Sequence, residues 1–167
     1  MRRDRAGPRA PSRRGAGTAN ASGVRLRAAS AGDAESIAAL SGELGYPAGP
    51  GTVRARLRRI LAREDQLVII AEHGRGRVCG WLQAHCNEAL ESGLRVEIVG
   101  LIVAKGMRRR GVGRCLVERA EAWAREVAAE TVVVRSNARR LESHAFYPSL
   151  GYQATKTQVV YRKRAQT

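Results

Sequence analysis

No apolar run in this 167-residue chain approaches the length needed to cross a bilayer, and the N-terminus is arginine-rich without the apolar block of a secretory signal. The expectation is therefore a chain that does not enter a membrane and resides in the cytoplasm. Cysteine is scarce: Cys79, Cys86 and Cys115 form no C-x-x-C pair, and their odd number excludes a closed disulfide framework. They read as reduced, mostly buried thiols. Histidine is equally scarce and scattered, at His73, His85 and His144. The one adjacent pair, His85-Cys86, would point to opposite sides of a strand, so no metal site is expected. Lysine is nearly missing, with only Lys105, Lys156 and Lys163.

What the chain has instead is arginine. Lys and Arg number 30 against 15 acids, a formal charge of +15. Residues 1–23 hold six Arg and one Asp, so +10 remains in the body. Abundant Ala and Gly make the arginine excess look partly like a biased composition. A body this basic still favours polyanions, whether a phosphorylated cofactor, an acidic peptide or RNA.

The length suits one soluble domain with a real core and is too short for two ordinary ones. Residues 1–23 carry almost no large apolar side chain and read as a disordered tail, with nucleic-acid contact as its minor alternative. The domain then runs over residues 24–167. Val24 to Ala28 alternates as a strand does, and Ser30-Ala-Gly-Asp33 resembles a capping box opening a helix that ends near Gly45. Val53, Leu57, Ile60 and Leu61 place a second helix over Thr52 to Ala62. Strands follow over Gln66 to Glu72, Arg77 to Ala84 and Leu94 to Ala104. Val112, Leu116, Ala120, Trp123 and Val127 share one face of the clearest helix in the chain. Thr131 to Arg135 reads as a buried strand, Leu141 to Leu150 as a short helix stopped at Gly151, and Gln158 to Lys163 as a closing strand. The order is β-α-α-β-β-β-α-β-α-β, an α/β fold with a mixed sheet.

The chemistry concentrates where the long strand runs into Arg108-x-x-Gly111-x-Gly113. A glycine turn between a strand and a helix can hold a phosphate on bare backbone amides. It is not a Walker loop, because Gly106-x-x-x-x-Gly111 continues into Val112-Gly113 rather than Lys-Ser/Thr. A dinucleotide fingerprint is weak as well, since Leu116 stands where a third small residue belongs.

With Phe146-Tyr147-x-x-Leu150-Gly151-Tyr152 downstream, the body from Val24 to Arg164 resembles the GNAT superfamily of acyl-CoA N-acyltransferases. The resemblance implies a mostly antiparallel central sheet flanked by helices, with acetyl-CoA as co-substrate, an amine acceptor and no metal. It assigns Leu101, Ile102 and Val103 to the pantetheine arm, the Leu101 amide polarising the thioester carbonyl. Arg108, Arg109, Arg110, Gly111, Val112, Gly113 and Arg114 would surround the CoA phosphates, with Asn137 and Ser143 near the cofactor arm. Gly100 suits a bulge in mid-strand. Glu97 matches the family's general-base glutamate, against an alternative as a structural or substrate-binding acid, and alternation without a bulge sets Glu97, Val99 and Leu101 on one side. Tyr147 matches the tyrosine that protonates the departing thiolate, although Pro148 interrupts its helix. Tyr46 and Pro47 lie where the family builds its acceptor pocket. Small amines, aminoglycosides, peptide N-termini and lysines all remain open as acceptors. So do aminoacyl-tRNA, which a basic body suits, and a catalytically silent CoA-binding module. An exposed strand edge leaves room for a homodimer.

Overall fold

A computed structural model describes residues 23–43 and 45–165. The tail expected over residues 1–23 thus lies, apart from Gly23, outside the described residues. The chain divides into two compact units after Arg135.

The first unit is a five-stranded sheet in the order β1-β2-β3-β4-β5. Its strands are β1 Val24–Ala28, β2 Gln66–His73, β3 Arg77–Ala89, β4 Gly93–Val103 and β5 Thr131–Val134. All neighbours are antiparallel except β4 and β5. Helices α1 Ala34–Glu43 and α2 Pro50–Leu61 pack on one face, joining Ile37, Val53 and Leu57 to Val68 and Ile70 in one apolar cluster. Helix α3 Val112–Glu126 packs on the other. There Gly80 brings the layers close: a Cβ on it would stand 3.4 Å from both Val112 and Leu116. The apolar face of α3 is fully committed, with Val112, Leu116, Ala120 and Trp123 all buried.

Local chemistry explains where the elements start and stop. The Ser30 amide donates to Asp33 Oδ2 at 2.7 Å, the capping arrangement expected before α1. Helix α2 begins at Pro50, two residues ahead of the expected Thr52, because proline at the first helical position loses no hydrogen bond. Strand β3 extends to Ala89 rather than stopping at Ala84. Main-chain pairing with β4 carries it on, through Cys86↔Val96 to Ala89↔Gly93, despite the polar Asn87 and Glu88.

A buried ion network ties β1, β2 and the turn before α1. Arg27 donates to Glu72 Oε1 at 2.6 Å and to Asp33 Oδ2 at 2.9 Å, and Arg25 reaches Glu72 Oε2 at 2.6 Å. Burial alone would raise the Asp33 carboxyl, but hydrogen bonds from Arg27 and Ser30 outweigh it and hold it below the usual carboxylate range. Glu72 is likewise pulled down, its burial overcome by Arg27 and Arg25.

The second unit holds helix α4 Leu141–Phe146 and a single 3₁₀ turn, Pro148–Leu150, closed by Gly151 at φ 90°. The one helix expected over 141–150 is therefore broken, since Pro148 has no N–H to donate and its ring crowds the His144 carbonyl. The closing strand expected over Gln158 to Lys163 does not form. Those residues have no regular structure, and Val159, Val160 and Tyr161 are exposed. Two valines and a tyrosine give strand propensity, but a strand also requires an edge to pair with, and this segment pairs with none among the described residues.

Candidate active site

Strand β4 changes character at Val99. Up to Ile98 it pairs with β3 on one edge and β5 on the other, ending at Ile98↔Val134. Its register with β3 then jumps, from Ala84↔Ile98 to Gln83↔Gly100, so Val99 is an extra residue. Beyond it no strand among the described residues pairs with β4 on the β5 side. Leu101, Ile102 and Val103 thus keep β3 on one edge and present main chain on the other. Gly100 is where the bulge was expected, and the reason is steric: a Cβ there would stand 2.7 Å from Trp81 Cζ3, so only glycine lets the indole lie across the strand.

The bulge also sorts side chains between faces, since directly opposed residues share a face. Glu97 pairs with His85, Gly100 with Gln83 and Ile102 with Trp81, on the face that carries α1 and α2. Leu101 pairs with Leu82 on the α3 face. The expectation that Glu97 and Leu101 share a side therefore fails, because it assumed unbroken alternation.

The strand ends in a turn that aims backbone at one point. Lys105–Met107 forms a 3₁₀ turn, and the Arg108 Nε donates to the Val103 carbonyl at 3.2 Å, bracing the turn onto β4. Arg109 takes a left-handed φ of 61°, and Gly111, at φ 80°, is the residue before the first turn of α3. No side chain caps that helix, so its first amides lack intrahelical acceptors and carry the positive end of the helix dipole. Arg109, Arg110 and Arg114 are exposed around it. Bare amides, a glycine that lets a ligand approach and mobile guanidinium groups suit a phosphate.

Glu97 is a buried acid of this face, only 5% exposed. Arg135 Nη1 donates to its Oε1 at 2.8 Å, and His85 Nε2 stands 4.0 Å from its Oε2. On the same face, a cleft of about 190 Å³ lies between α1, α2 and the sheet, lined by Tyr46, Ser41, Arg56, Trp81 and Gln83 among apolar side chains. Tyr46 lines it, while Pro47 is not part of the lining.

The remaining expected residues belong to the second unit. The Asn137 side chain accepts from the Arg139 amide at 3.0 Å, and Ser143 Oγ donates to the Arg140 carbonyl at 2.6 Å, with Ser136 Oγ also at 2.6 Å. Tyr147 packs edge-on against Phe146 and Tyr152, at ring distances of 5.0 and 5.7 Å. Its burial raises the phenol above its ordinary value. Among the described residues no three His, Cys, Asp or Glu side chains gather as a metal site.

Sequence reasoning missed Arg135, His85, Arg56, Trp81 and Gln83. The first two meet Glu97 only through strand register. Arg56 lies one residue before Leu57 on a helix whose pattern signals its core face rather than its rim.

The acetyltransferase (GNAT) family model matches residues 36–152. Among solved structures, a transcriptional regulator from Bacillus halodurans is similar at 23% identity and a TM-score of 0.76, covering 84% of this chain and 99% of that one. The aminoglycoside antibiotic 6'-N-acetyltransferase AAC(6')-Ih from Acinetobacter baumannii follows at 20% identity and 0.76, covering 86% and 100%. AAC(6')-Iy, bound to a bisubstrate analogue built on CoA, matches at 20% and 0.75, covering 85% and 99%. None of the curated proteins matches the chain. These structural likenesses establish the fold.

Proposed function

The chain belongs to the acetyltransferase (GNAT) family, and from that premise we propose that it transfers the acetyl group of acetyl-CoA to a primary amine by direct attack, both substrates bound together. The observation that carries this reading is the open edge of β4 after Val99, which leads straight to the uncapped N-terminus of α3. An extended pantetheine arm can hydrogen-bond to such an edge while its pyrophosphate meets the helix amides. The CoA-based ligand of one structural relative supports the same choice of donor.

Glu97 is assigned the acceptor's proton. An alkyl ammonium with a pKa of about 10 must lose that proton before attack, which at neutral pH costs roughly 4 kcal/mol at about 1.4 per unit. Glu97 faces the α1/α2 side, where the cleft also lies. Arg135 fixes one of its oxygens, leaving Oε2 for a substrate or an intervening water. For the departing thiolate the reading assigns Tyr147, on its sequence match and on chemistry. A phenol carries its proton at neutral pH, as an acid requires, and burial raises this one further.

Release of free CoA thiol from acetyl-CoA across an amine panel tests the reading. Turnover with at least one amine is expected, with kcat lowered about 10²-fold or more in Glu97→Gln and Tyr147→Phe. Tight acetyl-CoA binding with no release from any amine would overturn it in favour of a silent CoA-binding module.

A further inference from the structure

Resting on that reading, we infer that the acceptor is a monoamine bearing one apolar group and a carboxylate, rather than a polycation. Three properties of the cleft between α1, α2 and the sheet converge on this class.

The first is charge. Arg56 is the one charged residue in the lining, and no carboxylate joins it. Arg56 has no ion pair or hydrogen bond among the described residues. The same helix exposes Arg54, Arg58 and Arg59. On the α1 side, Glu43 already accepts a hydrogen bond from the Lys105 amide at 3.3 Å. The buried acids of that face are matched as well, Glu97 by Arg135 and Glu72 by Arg25 and Arg27. An acceptor with several ammonium groups would bring like charge to this rim and find no free carboxylate in it, whereas a carboxylate meets a guanidinium whose planar fork fits its two oxygens.

The second is size. The cleft measures about 190 Å³, and a cavity of about 150 Å³ is enough for one benzene-sized group. One ring or branched aliphatic group fills it, and the further rings of a multi-ring sugar would have to lie outside. The third is the wall. Ile37, Val53, Leu57, Ile60 and Val68 surround that space, so the group entering it must be apolar to gain from burial.

The test compares acetyl transfer to L-phenylalanine, L-phenylalaninamide and kanamycin, with calorimetric binding of each in the presence of CoA. The quantity read is the carboxylate-to-amide ratio of kcat/KM in each protein, because the different basicities of the two amines cancel when that ratio is compared between proteins. The ratio is expected to fall about tenfold or more from the parent chain to Arg56→Gln. It should fall further in Arg56→Glu and be largely kept in Arg56→Lys. Kanamycin should be the poorest of the three. Preference for kanamycin, or a ratio indifferent to all three substitutions, would overturn the inference. If no amine is acetylated but calorimetry shows the Arg56-dependent preference for the carboxylate, the acceptor class stands and the transferase reading fails. If neither turnover nor binding shows it, the acceptor class itself is refuted.

Discussion

Gly100→Ala is expected to be costly for one identifiable reason, the indole of Trp81. A Cβ on Gly100 would stand 2.7 Å from Cζ3 and 2.8 Å from Cη2, against 3.4–4 Å for ordinary contact. The ring must therefore retreat by about 0.7 Å or more, which disturbs its pairing with Ile70 across the strands and its packing against the α1/α2 cluster. Overpacking of this kind costs about 1 to 3 kcal/mol. Both clashing atoms belong to the benzo ring of the indole, which phenylalanine does not reach. In a Trp81→Phe background the same glycine substitution should cost no more than about 0.5 kcal/mol, so a double-mutant cycle measured by urea denaturation should give a coupling of at least about 0.5 kcal/mol. An equal cost in both backgrounds would refute the steric argument and point to backbone conformation at the bulge. Because Trp81 also lines the cleft, the single variant should raise KM for the amine more than it weakens CoA binding.

Two further outcomes are expected. Arg27→Met leaves the buried Asp33 carboxylate without its cation and Glu72 with Arg25 alone, and should lower stability at pH 7 by about 3 to 5 kcal/mol in urea. In the parent chain both carboxyls are held below their unfolded values, so the stabilisation they give is complete above about pH 5 and is lost as pH falls through the depressed values. Without the guanidinium, burial is less opposed at Asp33 while Arg25 still holds Glu72, so the penalty should shrink between pH 7 and pH 4 as Asp33 takes up a proton; a penalty constant over that range would show it is not electrostatic. Gly111→Ala places a side chain at φ 80° and should cost about 1 to 2 kcal/mol in thermal or urea melts, with weaker CoA binding. Gly111→Asn should cost less, because asparagine tolerates that region; equal losses would contradict the backbone explanation.

What was legible in the sequence follows the range of the interaction that creates it. Helix α3 was readable because Val112, Leu116, Ala120 and Trp123 repeat at the helical period within one segment. The break at Pro148 and the bulge beside Gly100 were readable because each residue type carries its own backbone constraint. The extension of β3 to Ala89 and the absence of a strand over 158–163 were not, since a strand exists only through its partner. The candidate site divides the same way. The turn from Arg108 to Gly113 is contiguous and could be read, whereas Arg135 lies 38 residues from Glu97 and finds it only through the parallel register of β4 with β5.

One inserted residue accounts for much of this layout. Without Val99, strict alternation would leave Glu97 and Leu101 on one face. With it, the Glu97 carboxylate is directed to the side of α1, α2 and the cleft, while the Leu101 side chain joins the α3 face. The main chain at 101–103 is thereby left for a ligand at the sheet edge, because the pairing with β5 stops at the same point. On the proposed reading, acceptor chemistry and donor chemistry are thus separated by face and edge of a single strand. That separation explains why the two halves differ in legibility. A donor held by main-chain groups needs only a bulge and glycines, which the sequence displays. On the proposed reading the acceptor would meet Arg56 from a helix and Trp81 and Gln83 from β3, with Glu97 of β4 on the same face, which only the folded chain assembles.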